Sequence, residues 1–446
     1  VTTFAARLHG FQARLGRTPP AQLLLLGYLS YITLGWVLLC LPWAQAQPVQ
    51  ALDNLFISAS AVSTTGLVTV DPGSAYTWLG ELVILLLIQA GGLGYMTFSS
   101  FVLLASTRRL SQFRQGMAEA AFSLPPGFDA ASFVKRTVLF TVAVELAGAA
   151  LLAPILRAAG TPHWLWSALF HSVSAFCTAG FSLNANSFEG FTANVPLNLV
   201  ISALSICGAV GFIVWVDLWE NLTNRRQRLR FTSRVILLVT FWFLVVGTAI
   251  LFLVEPALAH LPADERLLAA FFQTMTASTT VGFDTVPVGG MVSSSIVLLY
   301  FLMFFGASPA GTGGGLKSTT FSALWGIVRS TLKGRERVTM WSREIPLERL
   351  RIATASLIYY SAIAAVGIFL LCLTEPANFE ALLFEALSAL GTVGLSMGVT
   401  AGLTHLGKLT IIALMAIGRV GVITFGLAIS LRDPTAEELA DNQVAL

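Results

Sequence analysis

Four tripeptides carry the chemistry of this chain: Thr64-Thr65-Gly66, Thr178-Ala179-Gly180, Thr280-Val281-Gly282 and Thr392-Val393-Gly394. Each offers a hydroxyl oxygen, consecutive backbone carbonyls, and a glycine that tolerates unusual φ/ψ and leaves room beside the backbone. A bare cation leaves water only where other oxygens replace its hydration shell. An extended strand with inward-pointing carbonyls supplies them, and four such strands around one axis form the rings that select potassium in channels. A lone Thr-x-Gly carries no information, and ordinary helix-capping turns are the rival reading. Four copies in register are specific.

The register comes from the residues ahead of each tripeptide. Aligned on their ends, 51–67, 165–181, 267–283 and 379–395 place Phe56, Phe170, Phe272 and Phe384 together. Ser60, Ser174, Thr276 and Ser388 also coincide, and each copy closes on Leu or Phe. The glycines stand at 66, 180, 282 and 394, intervals of 114, 102 and 112 residues. Evenly spaced, aligned copies mark a fourfold internal repeat.

The elements that position these loops follow from hydropathy. Apolar segments near 51–62, 165–176, 267–278 and 379–390 are too short to cross a bilayer, so each enters and turns back. A helix ending there aims its partial negative end at the membrane centre, which favours a cation. Between them lie longer apolar runs at 21–43, 78–105, 134–157, 195–218, 233–254, 351–373 and 408–431, and an interrupted one at 291–332. Roughly 20 residues span the hydrocarbon core. The fold class is therefore all-α integral membrane: four pseudo-repeats of transmembrane helix, pore helix, filter loop and transmembrane helix around a central pore. The partition is a cytoplasmic amino terminus (1–20), repeat 1 (21–105), a cytoplasmic linker (106–133), repeat 2 (134–222), repeat 3 (231–333) with a broken second helix, a second cytoplasmic linker (334–350), repeat 4 (351–431) and a cytoplasmic tail (432–446). Non-helical backbone at this depth is tolerated only because it lines a wet path.

Composition agrees. Of 446 residues, 55% are hydrophobic and 11% charged, against about 25% charged in a soluble domain. The net charge of +3 is too small to imply nucleic acid. Cys40, Cys177, Cys207 and Cys372 are dispersed and indicate neither a zinc site nor a disulfide framework. The run from Ala21 to Trp43 is too long for a signal segment and reads as the first membrane helix.

Cations set the orientation. Arg7, Arg14 and Arg17, the group Arg108 to Arg136, the group Arg225 to Arg234 and seven cations from Arg329 to Arg351 share one side. The positive-inside rule makes that side, with both termini, cytoplasmic. The opposite side carries Arg157, Arg266 and Lys408 against Asp53, Asp71, Glu81, Glu189, Glu255, Asp264, Glu265, Asp284, Glu375, Glu380 and Glu385. A negative mouth concentrates cations without choosing among them.

The second helix of copy three breaks at Gly306-Ala307-Ser308-Pro309-Ala310-Gly311-Thr312-Gly313-Gly314-Gly315-Leu316-Lys317. Five glycines and a proline do not make a stable helix interior. Gly306 follows Gly282 by 24 residues, as Gly418 follows Gly394, which puts the break just below the loops. Flexible backbone there can obstruct the path and move aside. A phosphate-binding loop is the rival, but its pattern needs Gly directly before Lys, and Leu316 intervenes. No nucleotide site is expected in this chain. Gly91-Gly92-Leu93-Gly94, Gly208-Ala209-Val210-Gly211 and Gly418-Arg419-Val420-Gly421 occupy matching places in the other second helices and read as close packing.

These motifs resemble the superfamily of bacterial Trk and Ktr potassium-transporter membrane subunits and plant HKT transporters, over nearly the whole chain. Because the first repeat begins near Ala21, the Ktr type fits better. The resemblance implies potassium uptake, with Gly66 favouring potassium where some plant members carry Ser and prefer sodium. It implies that the glycine-rich segment is an intramembrane gate and that Arg419 sits beside it, narrowing the path; a structural salt bridge is the alternative for Arg419. Lys317 is either a gate anchor or a snorkelling charge, and Glu145 either an ion-coupling site or a hydrogen-bonded brace. His171 aligns with Ile57, Gln273 and Glu385 and reads as packing behind the loop. Also implied are a homodimer in membrane lipid, a cytosolic ring of nucleotide-binding RCK-type regulatory subunits, K+ as the transported ion and Na+ as a candidate activator. A sodium-permeable or ion-coupled secondary transporter is the alternative function. No catalytic residues are expected, and the absence of a complete ATP-binding motif speaks against a primary pump.

Overall fold

The computed structural model describes residues 20–106, 130–223, 229–306, 308–309, 311–340 and 343–429. The expectations placed on 1–19, 107–129 and 430–446, with those on Arg225, Arg226 and Arg228, lie outside the described residues.

Each sequence copy folds as a long helix, a short helix, a loop and a second long helix. Repeat 1 holds α1 (Pro20–Leu39), α2 (Ala51–Ser63) and α3 (Trp78–Ser106). Repeat 2 holds α4 (Ala130–Ala158), α5 (Trp164–Phe176), α6 (Val195–Val210) and α7 (Phe212–Thr223). Repeat 3 holds α8 (Phe231–Val254), α9 (Ala263–Thr279), α10 (Ser293–Phe304) and α11 (Ser318–Leu332). Repeat 4 holds α12 (Leu347–Thr374), α13 (Phe379–Leu390), α14 (His405–Val420) and α15 (Val422–Ile429). Before α12, the strands β1 (Thr339–Met340) and β2 (Arg343–Glu344) pair antiparallel.

Side chains begin several of these helices by satisfying free backbone N–H groups. Asn194, Asn378 and Thr404 accept from Leu197, Ala381 and Gly407 at the starts of α6, α13 and α14. The second helix of one repeat packs on the short helix of the next: α3 on α5, α6 on α9, α10 on α13, and α14 back on α2. The last contact closes the four repeats around one axis.

Beside an apolar core, large apolar side chains also cover the outside, unlike the surface of a water-soluble protein. Leu86, Leu139, Leu253 and Phe369 are exposed on the outside, while the hydroxyls of Ser58, Ser60, Ser172, Ser174, Thr274 and Thr276 are buried between the helices. Among the described residues, helices over 135–158, 231–254 and 347–374 are long and apolar enough to cross a membrane unbroken.

The second helices of repeats 2 and 4 are not the continuous spans that 195–218 and 408–431 suggest. α6 turns into α7 at 95° and α14 into α15 at 98°. The hinges are Gly211 and Gly421, at φ 89° and 86°, a region that a side chain opposes. The paired glycines thus have two roles. Gly208 and Gly418 press against the carbonyls of Phe176 and Leu390 at the ends of short helices; Gly211 and Gly421 bend the chain.

Candidate functional site

The backbone repeats the same turn four times where the short helices end. Thr64, Thr178, Thr280 and Thr392 all adopt left-handed conformations, with φ from 48° to 59°. A β-branched residue reaches that region only when its surroundings hold it there. The holding bonds also repeat. The N–H groups of Thr65, Ala179, Val281 and Val393 donate to the carbonyls of Ser60, Ser174, Thr276 and Ser388 at 2.8–3.1 Å. Ser60 and Ser388 hydroxyls accept from the N–H of Gly66 and Gly394 at 3.1 Å. Ser174 instead donates to the Phe181 carbonyl at 2.8 Å. The hydroxyls of Ser60, Ser174 and Ser388 are therefore braces behind the loops, the Thr276 hydroxyl is buried without a partner, and Phe56, Phe170, Phe272 and Phe384 are fully buried packing around them.

The glycines close the ring. Gly66, Gly180, Gly282 and Gly394 have φ of 96°, 65°, 80° and 94°. A Cβ at Gly66 would strike the Ala179 carbonyl; at Gly180, the Val281 carbonyl; at Gly282, the Val393 carbonyl; at Gly394, the Thr65 carbonyl. Each loop's central carbonyl thus meets the glycine of its neighbour, in cyclic order through all four repeats. The central side chains are fully buried away from solvent. What remains at the axis is backbone oxygen and the four threonine hydroxyls. Those of Thr64 and Thr392 are buried without a protein partner.

On one side of the ring lies a cavity of about 510 Å³, lined by all four glycines. Its lining also includes Asp71, Glu189 and Asp284, and no Lys or Arg among the described residues. Burial pushes the Asp284 carboxyl up to about 7, against a hydrogen bond from Ser187 that lowers it. The other acids expected at this mouth are mostly committed elsewhere. Asp53 pairs with Lys408 at 2.6 Å. Glu255 accepts from the N–H of Ala257 and Val292, and Glu375 from the N–H and hydroxyl of Thr404. Glu385 accepts from Ser396, Met397 and Thr400 at 2.6–3.1 Å.

Glu385 exposes a pattern that sequence reading passed over. Gln273, at the equivalent position, donates to the Val286 carbonyl at 2.6 Å. His171 accepts at Nε2 from the Leu183 N–H at 3.3 Å while Nδ1 donates to the Ser167 carbonyl at 2.8 Å. All three fix the chain just beyond each tripeptide. The available signal was a polar residue in an otherwise apolar helix, differing in type but not in polarity among three copies.

The glycine-rich segment lies across the other side of the ring; Ala307 and Ala310 lie outside the described residues. Ser308 donates to the Ala209 carbonyl at 2.7 Å, and the Thr312 N–H to the Gly208 carbonyl at 3.0 Å. The Thr312 hydroxyl receives the Thr178 hydroxyl at 3.1 Å and donates to the Phe176 carbonyl at 3.1 Å. The Gly314 N–H donates to the Thr280 hydroxyl at 3.0 Å, and a side chain at Gly314 would strike the Thr392 hydroxyl. Lys317 reaches back to the Gly313 carbonyl at 2.6 Å, which fits an anchor within the segment.

Arg419 is 2% exposed. Its guanidinium donates to the Thr312 carbonyl, to the Gly91 carbonyl at 2.6 Å and to the Tyr28 hydroxyl at 3.3 Å. One side chain from repeat 4 thereby joins the glycine-rich segment of repeat 3 to two helices of repeat 1. Glu145 occupies a different place. It accepts from Gln89 Nε2 at 2.8 Å, and Cys177, just ahead of the second tripeptide, donates to Gln89 Oε1 at 3.2 Å. This is a brace behind one loop, away from the axis.

Comparison with known proteins follows the same geometry. The TrkH family, described as a cation transport protein, matches residues 35–438. The chain is 34% identical over 433 residues to the Ktr system potassium uptake protein B of Bacillus subtilis, covering 96% of this chain and 97% of that one. It is 32% identical to the protein of the same name from Vibrio alginolyticus over 95% of this chain and 94% of that one. Identity to the potassium/sodium uptake protein NtpJ of Enterococcus hirae is 33%, covering 94% and 95%. The crystal structure of the potassium transporter TrkH from Vibrio parahaemolyticus superposes with a TM-score of 0.71 at 19% identity, covering 91% of this chain and 85% of that one.

Proposed function

The chain belongs to the TrkH family of cation transport proteins, and from that premise we propose that it takes up potassium across the cell membrane through the ring of four Thr-x-Gly loops. The observation that carries this reading is the cyclic contact of each loop's central carbonyl with the next loop's glycine. Such a ring replaces the hydration shell of a monovalent cation with backbone oxygen, and left-handed glycines keep it narrow. The acidic cavity supplies cations to it. Cations enter from the side of Asp71, Glu189 and Asp284, and the opposite side faces the cytosol.

The glycine-rich segment is the gate, and Arg419 is its latch. A guanidinium buried in the span is retained where it has a task. Here it holds the segment under the ring and lowers cation occupancy while the gate is closed. The protein works as a homodimer with a cytosolic nucleotide-binding ring, which touches the basic segment Arg329–Arg351 and the tail after Arg432 and opens the gate. Potassium is the transported ion, and sodium is a candidate activator. Glu145, engaged by Gln89 beside Cys177, serves as a brace.

Rubidium uptake in potassium-limited cells tests the reading. Wild type restores growth and accumulates rubidium over sodium, and Gly66→Ser loses that preference. An unchanged preference in Gly66→Ser contradicts a filter at this position.

A further inference from the structure

The threonines at the inner end of the ring are treated unequally. Thr64 and Thr392 present buried hydroxyls without protein partners, whereas Thr178 and Thr280 are engaged by Thr312 and Gly314. A cation held by this ring needs oxygen lone pairs and an empty centre. The Gly314 N–H instead lays a positive hydrogen on the Thr280 oxygen. The Thr312 oxygen stands 3.1 Å from that of Thr178, and Gly314 packs on Thr392. Three of the four ligands are thus approached by one short segment, and the unpartnered hydroxyls carry a desolvation cost that an ion would relieve.

We propose that the glycine-rich segment and a dehydrated monovalent cation compete for this threonine ring, so that filling the innermost site and opening the gate are one linked equilibrium whose balance Thr312 sets. The proposal rests on the reading of the four loops as the cation path. Linkage makes the effect reciprocal: a cation that binds only when the segment leaves must itself favour the open state. It also means that the closed segment weakens apparent affinity by the fraction of protein that is open.

The test uses the full chain reconstituted in lipid vesicles, with rubidium-86 uptake measured against rubidium concentration. Thr312→Val keeps the shape but removes the hydroxyl linking Thr178 to the Phe176 carbonyl. It is expected to lower half-saturating rubidium about fivefold and to raise uptake at limiting rubidium by a similar factor, the effect of losing about one hydrogen bond. Thr312→Ser, which keeps the hydroxyl, is expected to recover most of the wild-type half-saturation. A Thr312→Val protein that transports with wild-type half-saturation overturns the proposal and leaves the cation path standing. Loss of saturable rubidium uptake in wild type itself removes the path and the coupling with it. Hydrogen exchange of wild-type protein makes the same test without a variant. Amides of 311–316 are expected to exchange faster in saturating rubidium than in N-methylglucamine, and equal exchange overturns the coupling.

Discussion

The ring of Thr-x-Gly loops and the layer beneath it are built from the same four repeats but follow different rules. In the ring, each repeat contributes the same left-handed threonine, the same N–H bond to its short helix and the same glycine against a neighbouring carbonyl. Beneath it the repeats diverge. Repeat 3 supplies a glycine-rich segment, repeat 4 a buried Arg419, and repeats 2 and 4 hinge at Gly211 and Gly421. Symmetry suits the proposed role of the ring, which is to surround an ion equally. Asymmetry suits the proposed gate, which closes from one side and can be released. The contrast implies that changes in the upper layer alter which ion passes, and changes in the lower layer alter how often any ion passes.

Gly66→Ser should break the comparison most forcefully. A non-glycine residue in that backbone conformation costs about 1–2 kcal/mol, and its side chain strikes the Ala179 carbonyl. Rubidium-over-sodium preference is expected to fall about tenfold or more, measured by competitive uptake. Arg419→Gln comes next and should act on how much cation is taken up, not on which cation. It removes the charge-assisted bonds to the Thr312 and Gly91 carbonyls, each worth about 1.5–3 kcal/mol. Uptake without a regulatory partner is expected to rise several-fold at unchanged ion preference; a shifted preference would blur the two layers.

Asp284→Asn probes the approach to the ring. With its carboxyl pushed up to about 7 by burial, Asp284 is charged above that pH and neutral below it. Acidification from pH 8 to 6 should therefore lower wild-type uptake at limiting potassium about twofold, less at high ionic strength. The variant should be flatter across that window, because the group that titrates there is gone. Lys408→Met should affect transport least. It strands Asp53, 6% exposed, and is expected to cost about 3 kcal/mol of stability, seen as a lower thermal midpoint. Ion preference among the remaining folded protein should not change.

The symmetric layer was legible in the sequence because it repeats. Phe56 and its counterparts, Ser60 and its counterparts, and the four glycines align without any structure, and the break at 306–317 announces itself by composition. The asymmetric layer was less legible. Nothing local distinguishes Gly208, which presses on a carbonyl, from Gly211, which bends the helix. Arg419 could be singled out as a charge in a span, but its partners Thr312, Gly91 and Tyr28 lie 107, 328 and 391 residues away. Glu255, Glu375 and Glu385 misled for a related reason. Their charge suggested a mouth, while their role is to accept hydrogen bonds from loops that only the fold brings near.

The central claim is that one ring of four loops holds the ion. Anomalous scattering from crystals equilibrated with thallium, a scatterer of potassium's charge and similar size, tests it most directly. The account requires peaks on the axis encircled by Gly66, Gly180, Gly282 and Gly394, with the threonine ring below them empty while Thr312 remains bonded to Thr178. Peaks at Glu145 and Gln89 with none on that axis would contradict it.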